Sequence, residues 1–119
     1  MKQFFVLLMM AIPACATPPV CKENPKVIAA CYSVHGRASL GADTVRIYIW
    51  PVGTKRMLGV TGGPILDDAI APIVIPQNMR FDSNESIYGD FEVCPFTPER
   101  KGHLQLVCIE SATHLVVKH

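Results

Sequence analysis

The sequence predicts an all-β fold, a small antiparallel β-sandwich or partly open barrel supported by disulfides. Short runs rich in Val, Ile, Thr and Tyr recur at close spacing, and ten prolines and eight glycines break the chain around them. One run, residues 44–52 (TVRIYIWPV), alternates with a period of two. Long amphipathic helical periodicity is absent. At 119 residues and 50% hydrophobic, the chain suits one domain with a modest core, in which cross-links matter.

From the N-terminus, Lys2 precedes a nine-residue apolar run, residues 4–12 (FFVLLMMAI). At about 1.5 Å per residue a helix of that length covers less than half of a ~30 Å bilayer core. Pro13 and small residues follow, which is the layout of a secretory signal over residues 1–14. Two cleavage readings compete. Ile12-Pro13-Ala14-Cys15 resembles a bacterial lipobox, with Cys15 lipidated as the first mature residue. Ala14-Cys15-Ala16 also satisfies the small-x-small rule for cleavage before Thr17. Either route removes Cys15 from the pairing pool and leaves Cys21, Cys31, Cys94 and Cys108, an even set suited to an oxidising compartment. The lipoprotein is the preferred reading. By resemblance to Gram-negative lipoproteins, Ala16 after the cysteine permits outer-membrane sorting. Residues 15–26 are Pro-rich and polar and read as a tether; residues 27–119 are the β-domain.

Within that domain, residues 27–35 are β-rich and stop at Gly36. In residues 44–52, Val45, Ile47 and Ile49 share one face, and Arg46, Tyr48 and Trp50 the other. Gly53-Thr54 is a turn, with residues 55–60 as the hairpin partner. Thr61-Gly62-Gly63-Pro64 is a break. Residues 65–71 suit one helical turn and residues 72–75 a short strand. Residues 87–93, 103–110 and 114–118 are further strands, with a turn-rich loop over residues 94–102. Four cysteines allow three connectivities. Cys94 and Cys108 lie on consecutive strands that are expected to pair, which brings them toward bonding range and would leave Cys21 with Cys31.

Charge narrows the function. Eleven basic side chains face ten acidic ones, for a net +1 that falls to zero when Lys2 leaves with the signal. That balance argues against a nucleic-acid partner or a polybasic membrane-surface protein. The expected partners are the membrane, through a lipid on Cys15, and an envelope protein or ligand.

The side chains that carry chemistry form no motif. Arg46, Tyr48 and Trp50 are the candidate binding face, because Trp and Tyr supply contact area at low entropic cost and Arg stacks on rings; the alternative is a face covered by a loop. His35, His103, His114 and His119 show no metal-ligand spacing, so a metal site would have to be assembled through space, and none is expected. No Cys-x-x-Cys or Gly-x-Ser-x-Gly is present, and no catalytic residue or cofactor is assigned. Ser33 and His35 read as two polar side chains on one strand face. Asp82, Asn84 and Ser86 imitate a calcium loop, but Ile87 stands where such a loop needs Gly and Val93 where it needs Glu. Asp67 and Asp68, adjacent on an extended segment, point apart.

Four segments carry a resemblance: Val34-His35-Gly36-Arg37, residues 53–60 (GTKRMLGV), residues 89–98 (GDFEVCPFTP) and residues 107–112 (VCIESA). Together they resemble a group of small exported bacterial proteins, often lipoproteins. The resemblance covers about residues 31–112, implies export and supplies no activity. The sequence therefore leads to an exported, non-enzymatic binding or structural β-domain. The alternative is a small periplasmic hydrolase or metal-dependent enzyme, which would need His35, His103 or an acid to converge in a pocket.

Overall fold

The computed structural model describes residues 21–41, 45, 47–64, 75–80 and 84–119. A single-turn 3-10 helix, Cys21–Glu23, precedes five strands: β1 (Tyr32–Leu40), β2 (Ile47–Pro51), β3 (Leu58–Val60), β4 (Ser86–Pro95) and β5 (Gln105–Lys118). They close into a barrel in the order β1-β2-β3-β5-β4. The all-β expectation holds, with two refinements. The barrel is closed rather than open or split into a sandwich, and one ladder, β3 with β5, is parallel. A β1-β2-β3 meander, a β4-β5 hairpin and a parallel β3-β5 seam are the connectivity of the five-stranded Greek-key barrels called OB folds.

Closure follows from side-chain alternation. Ala38, Ile47, Ile49, Leu58, Val60, Ile87, Phe91, Val93, Val107, Ile109 and Ala112 fill the interior, and Phe91 and Ile49 are fully buried. Apolar burial is the driving force, at roughly 25 cal/mol per Å². β1 is shared, pairing β2 through Gly36↔Pro51 and β4 through Gly36↔Gly89. A Cβ on Gly36 would lie 2.8 Å from Ile49 Cγ2, and one on Gly89 2.5 Å from Leu115 Cδ2. These paired glycines let a long strand curve through the barrel wall. Gly36 is thus mid-strand, not a strand end. Residues 27–31 are not strand; β1 starts at Tyr32 and runs on to Leu40.

The expected strands at residues 103–110 and 114–118 are one strand, β5, carried through two register shifts against β4. Residues 65–74, with the expected helical turn, most of the expected short strand and Asp67-Asp68, lie outside the described residues. Met79 enters the core from residues 75–80, and Asn78 Nδ2 donates to the Ala112 carbonyl at 2.7 Å.

The disulfides are Cys21–Cys108 and Cys31–Cys94. The Cys94–Cys108 pairing is corrected. Those two residues are indeed directly opposite on β4 and β5. Both point out of the barrel, though, and each bonds a cysteine of the segment lying over them. Cys21, Cys94, Phe96, Leu106 and Cys108 form a second, external cluster joined by Val27, Cys31 and Leu104. The Lys22 N–H donates to Glu110 Oε1 at 2.7 Å, and the Ile28 N–H to the Pro95 carbonyl at 2.9 Å. Residues 21–26, expected as the end of the tether, are therefore fastened to the barrel.

Candidate functional site

The outer face of the barrel carries three groupings. In the first, alternation on β2 buries Ile47 and Ile49 and turns Tyr48 and Trp50 outward, as the sequence predicts. Arg46 lies outside the described residues. Among the described residues, Arg37 brings a cation to this face; its cross-strand partners are Trp50 on β2 and Tyr88 on β4. Its Cζ sits 5.2 Å from the Trp50 ring centroid, within cation–π range. Its Nε is buried without a hydrogen-bond partner. Trp50 is half-buried, and its Nε1–H donates to the Thr54 carbonyl at 2.8 Å, so the β2–β3 turn partly covers the ring. Local sequence shows Arg37 only as a basic residue on a strand; its place beside Trp50 depends on the β1-β2 register.

The second grouping is at the barrel end where the β2–β3 turn (residues 52–57) meets the β4–β5 loop (residues 96–104). They bound a cleft of about 640 Å³ lined by Lys55, Arg56, Arg100, Lys101 and His103, with Glu99. Four basic side chains stand against one acid, a local excess of three positive charges on a chain of net +1. Arg56 is held in place: Nη2 donates to Gln105 Oε1 at 2.7 Å, and Nε lies 3.4 Å from Glu99 Oε2. Gln105 is itself buried, accepts from the Tyr32 hydroxyl at 2.6 Å and donates to the Thr97 carbonyl at 3.0 Å. Tyr32, Gln105 and Arg56 thus tie the end of the barrel to the rim of the cleft. Residues 99–101 read alone are a solvated hairpin tip; only the fold sets Lys55 and Arg56 across from them.

The third grouping spans β1, β4 and β5. His35 Nδ1 lies 2.9 Å from Asp90 Oδ1, and His114 Nδ1 2.9 Å from Asp90 Oδ2. Hydrogen bonds from His35 first, with His114 and both rings' charge also acting, hold the Asp90 carboxyl below its ordinary value against partial desolvation. An ionised carboxylate only accepts, so both Nδ1–H groups donate. His35 therefore does meet an acid, but on an open face; His103 lines the cationic cleft instead. Ser33 shares the His35 face and pairs with Glu92.

The remaining candidates resolve simply. Ser86 and Ile87 belong to β4, with Ile87 in the core, and Asp82 lies outside the described residues. The sulfurs of Cys21, Cys94 and Cys108 lie within 4.8 Å of one another, but all are oxidised in disulfides and offer no thiolate to a metal. Cys15 and the signal lie outside the described residues. No protein-family model, curated protein or solved structure matches this chain.

Proposed function

We propose that this chain is an exported cell-envelope protein whose barrel is a non-enzymatic binding domain, held to the membrane by a lipid on Cys15, and that it takes an anionic ligand at the cleft between the β2–β3 turn and the β4–β5 loop. The cationic cleft carries this reading: Lys55, Arg56, Arg100 and Lys101 converge on one end of a chain that is otherwise close to neutral. Such a cluster attracts anions and speeds their encounter. OB-type barrels as a class use their loops, the β4–β5 loop among them, to hold oligosaccharides and oligonucleotides. That class argument is an analogy of fold. Two disulfides support an oxidising compartment, where an acidic glycan is the fitting ligand.

Calorimetric titration with a uronic-acid tetrasaccharide tests the site. Binding should weaken with salt and fall at least tenfold in Arg100→Ala/Lys101→Ala, while a neutral tetrasaccharide should not bind. Equal binding of the charged and neutral sugars would remove the proposal. For the anchor, Cys15→Ser should release the protein from membrane fractions; unchanged retention would exclude lipidation there.

A further inference from the structure

The two disulfides meet. The Sγ atoms of Cys21, Cys94 and Cys108 lie within 4.8 Å of one another, so Cys94 of one bridge is close to both sulfurs of the other. A cross-link that serves stability alone needs no such neighbour, since it acts by closing its own loop. Cys21, Cys94 and Cys108 are buried, and Cys94 is fully so; Cys31 is half-buried. Cys31 also lines a hollow of about 360 Å³ with Lys22, Val27, Ala29, Ala30 and Glu92. The Lys22 ammonium, 3.6 Å from the Glu92 carboxylate, offsets its charge, so the hollow does not repel an incoming anion.

A disulfide opens when a thiolate attacks one sulfur and the other leaves as the thiolate. The reachable half of the Cys31–Cys94 bridge is Cys31, so Cys94 is the leaving group. Its thiolate is released in an apolar cluster with Phe96 and Leu106, where its charge is poorly solvated, and the second bridge is within 4.8 Å. Cys108 is directly opposite Cys94 on β5, so a bond between them leaves the β4-β5 ladder in register. We propose that Cys31 is an exchange site for a small-molecule thiol, and that Cys94 relays the exchange to the Cys21–Cys108 bridge. In the first step the incoming thiolate bonds Cys31 Sγ, and the electron pair of the broken bond stays on Cys94. Cys94 Sγ then bonds Cys108 Sγ, and the pair passes to Cys21. Cys21 Sγ finally bonds Cys31 Sγ and expels the thiolate that entered. Nothing is oxidised or reduced overall, and the thiol is returned. The product carries Cys94–Cys108 and Cys21–Cys31, which unties residues 21–31 from the barrel. Val27 of that segment packs on the cluster of Phe96, Leu104 and Leu106, and Leu104 also lines the cationic cleft. The exchange therefore uncovers an apolar patch at the rim of the cleft, whatever the cleft binds.

The test is peptide mapping without reduction, after acid quench and alkylation. Kept free of added thiol, the full chain should map as the two native pairs only. With millimolar reduced glutathione at mildly alkaline pH, the first adduct should be on Cys31, followed by Cys94–Cys108 together with Cys21–Cys31. A first adduct on any other cysteine would overturn the exchange site. A Cys31 adduct that leaves Cys21–Cys108 intact, or a product joining Cys21 to Cys94, would overturn the relay. So would pairs that form only at the rate of global unfolding, measured in parallel by circular dichroism in urea. Cys31→Ser, shown to be folded by circular dichroism, isolates the relay because its Cys94 thiol is already free. With no thiol added, a maleimide should label Cys21 at least tenfold over Cys94, since Cys94 is fully buried and Cys21 is released. Label on Cys94, or none, would overturn the relay.

Discussion

Removing the Cys21–Cys108 bridge by Cys21→Ser/Cys108→Ser tests both the connectivity and its energetic weight. The two bridges span 87 and 63 residues, one nested in the other. In the chain-entropy relation, the inner bridge alone is worth about 4.3 kcal/mol and the outer alone about 4.6 kcal/mol. They do not add. Once Cys31–Cys94 is closed, the outer bridge restricts only the difference, about 24 residues, which corresponds to about 3.5 kcal/mol. The same cycle assigns roughly 3 kcal/mol to the inner bridge when the outer is present. Small domains have about 5–15 kcal/mol in all, so either loss should be severe and the loss of both should unfold the protein. Urea denaturation of wild type and the paired variant gives the difference, with m-values compared because the unfolded variant is less compact. Peptide mapping without reduction should recover Cys31 joined to Cys94 in the variant. A loss below about 1 kcal/mol would refute the loop argument. Recovery of Cys94 joined to Cys108 in the wild type would refute the connectivity.

Three further outcomes follow from burial and charge. Phe91→Ala, at a fully buried position inside the barrel, should cost about 3–5 kcal/mol in the same assay. Trp50→Ala, losing the Arg37 stack and one hydrogen bond on the outer face, should cost about 1–2 kcal/mol; equal losses would place Trp50 in the core. Asp90 has a lowered carboxyl pKa, so its contribution is present above the usual value of 3.8 and is lost as pH falls through the folded-state value. Melting temperatures of wild type and Asp90→Asn should therefore differ at pH 6 and converge in acid below about pH 4. A gap that persists undiminished at pH 2 would contradict the assigned cause.

The alternation of Ile47, Tyr48, Ile49 and Trp50 was legible in the sequence because a strand side chain's face depends only on its parity along the chain. The all-β class and the even cysteine set were legible for similarly local reasons. Pairing is not local. That Arg37 stacks on Trp50 follows from the β1-β2 register, and that β3 runs parallel to β5 follows from barrel closure. Gly36 reads as a terminator because isolated glycine breaks strands; it is mid-strand because the Ile49 side chain and the Trp50 carbonyl occupy the space a side chain there would need. Cys94 and Cys108 do lie on paired consecutive strands, as the sequence predicts, yet which sulfur each takes depends on the N-terminal segment folding back over them. The clustering of Lys55 and Arg56 with Arg100 and Lys101, and the aim of His114 at Asp90, are likewise tertiary. One needs two loops brought together at the same end of the barrel, and the other an extra residue in β5 that no local pattern announces. Sequence by itself determined which face of β2 is buried and which four cysteines pair among themselves; tertiary structure alone decided which charges, rings and sulfurs meet, because those meetings are set by strand register and chain closure over long sequence separations.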